Sequence, residues 1–392
     1  MSRKLRTIIA LLLLCGVGGL IFLGRWMTSG GSPLLVMPST DITEVMSTEG
    51  KMIAVVRADD SQRASRAFRA ARQTLRDVER LMSSHMTGTE IHALNNAPAG
   101  EHVALSDRTL SVLRTARDLH VESAGAFDIT VRPVLEVWKQ AAKEGRIPPL
   151  SKLTAARNAS RWDQIELTPT GAVKSTDTAG VDLGGIAKGY GIDRAIETLK
   201  AHDIHGGLVE LGGDLRCFGT RFDGRPWTVA VTDPFDPDKT LCLLRIDADT
   251  GAAVCTSGNY RRPVEIAGQR FSHILDPRTL MPTDHSPSVT VIANTATVAD
   301  AWATALSVLG PPGLDSLPAN EGIEAMIIMG TPERATIHTT PGFENLLVGE
   351  PPSFEPKPTS QPSEPNSPIE PVTPRGGSGT RRHEPPRCIP RR

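Results

Sequence analysis

An α+β fold, with helices and strands mixed along one body, follows from three observations. Long stretches carry apolar residues at helical spacing, shorter ones are β-branched or alternate, and no repeat imposes a period on the whole. The order of these elements is too irregular for a barrel or a simple doubly wound sheet. Lys51 to Ala58 reads as a strand. Asp60 or Ser61 is placed to cap the helix that follows, with Ala64, Phe68, Ala71, Leu75, Val78 and Leu81 on one face. A second helix is expected from about Asp107 to Glu122. The stretches from Trp227 to Thr232, Leu241 to Ile246 and Ser288 to Ala293 read as strands.

The two ends differ from this body. Arg3, Lys4 and Arg6 precede an uncharged run from Ile8 to Leu23, the pattern of a signal sequence or short membrane anchor with the body outside the cytoplasm. Three fates stay open: a retained anchor, cleavage near Thr28 to Gly31, and lipidation at Cys15. From Glu350 to Arg392 the chain is rich in Pro, Ser, Glu and Arg and nearly lacks large apolar residues. Such a segment cannot bury enough surface to offset its ordering entropy, so a disordered tail is expected. The division is therefore 1–34, 35–349 and 350–392. Net charge is −1, which gives no field for nucleic acid. Cys217, Cys242, Cys255 and Cys388 show no C-x-x-C spacing, so neither a zinc site nor a redox pair is indicated, and a disulfide stays open.

Chemistry concentrates in three glycine- and charge-bearing motifs. They are G-V-D-L-G-G-I-A-K-G-Y-G from Gly180 to Gly191, L-G-G-D from Leu211 to Asp214, and S-H-I-L-D-P from Ser272 to Pro277. Glycines at this density permit tight turns and close approach to a ligand. With Asp182 and Lys188 beside them the first motif reads as a phosphate-handling loop, the plainer alternative being a strand-to-helix turn. A further motif, Ala299-Asp-Ala-Trp-Ala-Thr304, sets Asp300 and Thr304 four apart on one face at the start of a helix. A carboxylate and a hydroxyl can there meet one magnesium ion; alternatively, Asp300 caps the helix and Thr304 bonds back to its own backbone.

With Thr89-Glu-Ile-His-Ala-Leu-Asn95, Gly125-Ala-Phe-Asp-Ile-Thr130 and Thr256-Ser-Gly-Asn-Tyr260, these motifs resemble in order those of the ApbE family, the FAD:protein FMN transferases, over roughly Met46 to Gly310. The resemblance implies an ApbE-like body with its active site in a cleft between two lobes. It implies Mg2+ held by Asp300, Thr304 and the Gly185 carbonyl, with Ala303 contributing through its main chain. FAD, as substrate, would meet Met46, Ala126, Phe127, Asp128, Asp182, Lys188 and Ile274, and His273 would be the catalytic base. A buried structural strand histidine is the alternative at His273.

Where the family commonly stacks an aromatic residue on the flavin, His85 stands. Ser47 replaces the glycine of Met-Gly-Thr, Glu210 an asparagine, and Leu280 the glycine of D-P-x-T-G. The implied reaction moves FMN from FAD to a Thr or Ser hydroxyl of an acceptor flavoprotein, a subunit of a membrane redox complex, and releases AMP, with Lys188 and loop amides around Gly184 and Gly185 as donors to the pyrophosphate. The alternatives are an exported FAD-binding protein or, if water attacks, an FAD pyrophosphatase. The expected location is the cell inner membrane, with the body on the periplasmic side.

Overall fold

The computed structural model describes residues 34–247, 251–258, 264–283 and 286–354. The amino-terminal run with Cys15, Asn259 and Tyr260 of the T-S-G-N-Y motif, and the chain beyond Phe354 with Cys388 lie outside them. Among the described residues no helix is long and apolar enough to cross a membrane. Cys217, Cys242 and Cys255 are buried free thiols.

At the centre is a nine-stranded sheet in which every pairing is antiparallel, which places the fold in the α+β class. Its spine runs through Thr48–Arg57, Gly206–Leu211, Asp214–Phe218, Ala253–Gly258, Ser288–Ala293 and Glu324–Met329. Alternation along these strands serves two cores, because successive side chains leave opposite faces. Met52, Ala54, Val209, Cys255 and Val291 enter the larger one, whereas Val55, Cys217, Val254 and Ile292 enter the other. The strands Trp227–Asp233 and Asp236–Ile246 form a hairpin that covers the second face with Trp227, Val229, Val231 and Leu244. Phe354 packs edge-on against Phe235, with ring centroids 5.3 Å apart.

The helices are α1 (Ser61–Met82), α2 (Glu90–Asn96), α3 (Asp107–Glu122), α4 (Arg132–Glu144), α5 (Leu150–Ala159), α6 (Ala187–Ala201) and α7 (Ala296–Leu309). All but α4 and α5 contribute to the larger core on the first face. α1 packs on α6, α6 on α7, and α7 on the strands Ala253–Gly258 and Ser288–Ala293. The buried face of α1 is the expected one, except that Met82 rather than Leu81 completes it. Its expected cap differs too. Asp60 makes no side-chain cap, because its carboxylate is taken by Arg63 Nε at 2.6 Å. α3 keeps its expected bounds and is capped by Ser106, whose Oγ accepts from Thr109 N–H.

A smaller lobe of the same body has its own core. Val131, Val134 and Trp138, at and within α4, pack with Leu153 of α5 and with Ile266, Leu275 and Leu280. These last three belong to short hairpins, Val264–Ile266 with Gln269–Phe271 and Leu275–Asp276 with Met281–Pro282.

Candidate active site

Between the main body and this small lobe opens a cavity of about 730 Å3, within the size range of small-molecule sites. Apart from Ala303, every site residue singled out from the sequence lines it: His273, Met46, His85, Ala126, Phe127, Asp128, Asp182, Lys188, Ile274, Gly185, Asp300 and Thr304. Six of the seven motifs, spread between Gly125 and Thr304, thus converge on one space, while Thr89 to Asn95 lines none of it.

Its charged centre is built where α6 and α7 meet the strand Asp214–Phe218. Lys188 Nζ pairs with Asp214 Oδ2 and lies 3.4 Å from Asp300 Oδ1. The lysine side chain keeps 30% of its surface exposed and can reach a ligand, whereas both carboxylates are almost fully buried. Burial pulls the ammonium pKa down, but the two carboxylates outweigh it and hold Lys188 charged well above its ordinary range. Asp300 is pushed the other way. Its carboxyl rises to about 6, chiefly through burial and the nearby Asp214 charge, against the pull of Lys188 and of the Gly189 N–H, which donates to Oδ2 at 3.0 Å.

Asp300 sits in the second turn of α7, not at its start. Thr295 is the cap, accepting from Val298 N–H, so the capping alternative for Asp300 fails. Thr304 Oγ1 does bond back, donating to Asp300 O at 3.2 Å, which leaves its lone pairs for a cation. Gly185 closes the triad: a Cβ there would stand 3.0 Å from Thr304 Oγ1 and 3.2 Å from Phe127 Cε2. A carboxylate, a hydroxyl and a close backbone segment are hard oxygen donors of the kind magnesium takes. One net negative charge across Lys188, Asp214 and Asp300 also calls for further cation, so the residues present fit Mg2+. Ala303 is fully buried and not among the lining residues, its carbonyl accepting from Ser307 Oγ at 2.8 Å.

The loop ahead of α6 is held from three sides. Asp182 N–H donates to Ile129 O at 2.8 Å, and its carboxylate accepts from Ser84 Oγ at 3.1 Å and from Gly184 N–H at 2.9 Å. The Gly184 amide, expected to face the pyrophosphate, is therefore satisfied within its own turn. Asn95 grips the same loop at Val181, donating to its carbonyl at 2.9 Å and accepting from its N–H at 2.8 Å. Thr89 caps α2 and donates to Ser83 O at 2.6 Å, which fixes the segment that carries exposed His85. Phe127 is only 3% exposed and abuts Gly185, so it is a wall of the site. Asp128 accepts from Thr130 N–H and Oγ1 at 2.8 and 2.7 Å, and burial raises its carboxyl pKa against those bonds and His120.

His273 lies in a bend outside any strand and is exposed, so the buried strand histidine is excluded. Beside it, Ile274 N–H donates to Ser272 Oγ at 2.9 Å and its carbonyl accepts from Thr283 N–H at 2.9 Å, which fixes the segment. Asp276 is occupied by Arg278, whose bonds hold its carboxyl below the usual range despite partial burial.

The sequence departures fall into two groups. Ser47 has φ +57° beside Met46 at φ +51°, in a tight turn between paired Val45 and Thr48 that lines the cavity; Met46 N–H donates to Glu79 Oε1 at 2.8 Å. Glu210 lies away from the cavity. Its Oε1 accepts from Gly213 N–H at 2.6 Å, and it borders a separate space of about 210 Å3 with Val229, Val231 and Val254. Sequence reasoning did not select Asp214, Ser84 or Asn95 as site residues, although each lay in or beside a quoted motif.

The sequence profile described as the ApbE family matches residues 46–327. The FAD:protein FMN transferase of Escherichia coli (strain K12) is 28% identical over 323 residues, which cover 79% of this chain and 92% of that protein. A Vibrio cholerae serotype O1 protein of the same name is 31% identical over 277 residues, covering 70% of this chain and 82% of its own length. Among solved structures, flavin transferase ApbE from Vibrio cholerae superposes with a TM-score of 0.67 at 28% identity, over 81% of this chain and 100% of that one. The ApbE protein from Thermotoga maritima gives 0.70 at 26% identity, over 80% and 100%. A profile matched across most of the chain, and a shared fold around the same motifs, establish that this chain belongs to the ApbE family.

Proposed function

We propose that the protein transfers FMN from FAD to a Thr or Ser hydroxyl of an acceptor flavoprotein, releasing AMP, in a magnesium-dependent reaction. The observation that carries this reading is the meeting of Lys188, Asp300, Thr304 and His273 in one cavity large enough for a nucleotide. The names of the relatives support it.

Asp300, Thr304 and the Gly185 carbonyl would hold the cation, which when bound neutralises pyrophosphate charge that grows as the bond to AMP breaks. Lys188, kept charged by its two carboxylates, adds a fixed positive partner for a phosphate oxygen. His273 receives the proton of the acceptor hydroxyl as that oxygen bonds to the FMN phosphorus. The bond from that phosphorus to the bridging oxygen breaks, and its electron pair leaves with AMP. His85 presents an imidazole where a flavin ring would stack. The basic residues ahead of the uncharged amino-terminal run support a body outside the cytoplasm at the inner membrane, with a subunit of a membrane redox complex as the acceptor.

The test is to incubate the protein with FAD, Mg2+ and a candidate acceptor and to look for covalent flavin fluorescence on a denaturing gel. Because His273 is exposed, His273→Ala should keep its thermal midpoint and FAD affinity while transfer falls by about a hundredfold to ten-thousandfold. Transfer at the parent rate would remove His273 from the chemistry. Tight FAD binding without transfer to any acceptor would instead favour a flavin store.

A further inference from the structure

The phosphate-loop helix carries a buried carboxylate, Asp193, that lies outside the cavity. It is 3% exposed, and a charge so buried requires partners to offset its lost hydration. It has four. Oδ1 accepts from Ala296 N–H and from Arg216 Nη1, each at 2.9 Å; Oδ2 accepts from Thr297 N–H at 2.9 Å and Thr297 Oγ1 at 2.5 Å. Ala296 and Thr297 are the first two residues of α7, and their amides are orphans of the helix terminus.

This is not the cap that α7 needs in order to begin. Thr295 already accepts from Val298 N–H through its side chain and from Ala299 N–H through its carbonyl. What Asp193 adds is a fixed position for α7 against α6. The arrangement is reciprocal, because Asp300 of α7 accepts from Gly189 N–H in the first turn of α6. The contact leaves no slack: a Cβ on Gly189 would run into the Ala296 carbonyl and stand 2.8 Å from Thr297 N. Arg216 ties the same pair to the strand Asp214–Phe218, whose Asp214 holds Lys188.

We infer that Asp193 is a positioning residue for the metal-binding carboxylate. By capping α7 from α6 while Asp300 caps α6 from α7, it sets the spacing of Asp300 and Thr304 against Lys188. This rests on the proposed magnesium-dependent reading.

The experiment compares full-length wild type, Asp193→Asn and Thr297→Val by titrating Mg2+ calorimetrically into the FAD-loaded protein, with FAD affinity and thermal midpoint measured alongside. An asparagine at 193 turns an NH2 towards donors and must lose bonds. Its Mg2+ affinity should fall by about tenfold to a hundredfold, the usual cost of losing a group that orients a metal ligand, while FAD affinity without Mg2+ stays at the wild-type value. Thr297→Val removes only the hydroxyl bond, keeps both helices, and should shift Mg2+ affinity in the same direction by less. Wild-type Mg2+ affinity in Asp193→Asn overturns the inference. So does a loss that merely tracks the unfolded fraction. If Asp193→Asn does not fold, unchanged Mg2+ affinity in Thr297→Val overturns it. Wild type that binds FAD but no Mg2+ defeats the magnesium-dependent reading itself, and the inference with it.

Discussion

Asp300 is under opposing demands: burial and Asp214 favour its neutral form, whereas a cation needs its charge. Its carboxyl titrates near 6, above the ordinary 3.8, so the folded metal-free protein holds this proton more tightly than the unfolded chain. The metal-free fold therefore loses stability from this group as pH rises from about 4 to about 6, and the charged ligand is lost as pH falls back through 6. Mg2+ affinity should rise about tenfold per pH unit below about 6 and level off above it. Calorimetric titrations from about pH 5 to about pH 8 check this, and Asp300→Asn should abolish the slope while weakening binding. An affinity independent of pH across that range would remove Asp300 as a ligand. Asp300 and Thr304 were legible because a helix encodes proximity as a spacing of four. Asp214 was not, since its pairing with Lys188 needs a strand and a helix brought together by the fold, and no spacing records that.

Elements with many turns announced themselves, whereas short ones did not. α1 and α3 each repeat an apolar face over several turns, but Leu275–Asp276 and Met281–Pro282 pair over two residues and carry no readable period. The turn joining them holds Leu280 at φ +66°, 5% exposed in the small-lobe core, with its carbonyl accepting from Trp138 Nε1 at 2.9 Å. A glycine there would relieve about 1–2 kcal/mol of left-handed strain, but it removes a buried leucine side chain worth about 2–5 kcal/mol and adds unfolded-state entropy. Packing wins. Leu280→Gly should therefore destabilise the protein by about 1–3 kcal/mol in denaturant unfolding. A stabilised variant would show that strain, not the leucine, dominates the turn. The departure from the family glycine then has a physical account, a tolerated backbone cost offset by core packing.

At the scale of the whole molecule, fold class was legible from the mixture of periods, but the antiparallel sheet order was not, because strand neighbours such as Thr48–Arg57 and Gly206–Leu211 lie far apart in sequence. The cavity between body and small lobe follows from that order. The proposal that belongs to this scale is orientation. The described chain starts at Leu34, whose carbonyl accepts from Ala58 N–H at 2.8 Å beside the strand end at Arg57. Ahead of that junction, Arg3, Lys4 and Arg6 precede the uncharged run from Ile8 to Leu23. Positive charge resists translocation, which favours the amino terminus inside and the body outside. An alkaline phosphatase reporter fused after Gly349, an exposed residue, should be active and its cytoplasmic counterpart, a β-galactosidase fusion at the same point, inactive. Replacing Arg3, Lys4 and Arg6 with uncharged residues should reduce the exported fraction. Sedimentation with membranes in a salt wash would mark a retained or lipidated segment, and release as soluble exported protein would mark cleavage. An active β-galactosidase fusion with a silent phosphatase would overturn the orientation and place the cavity, with its FAD, in the cytoplasm.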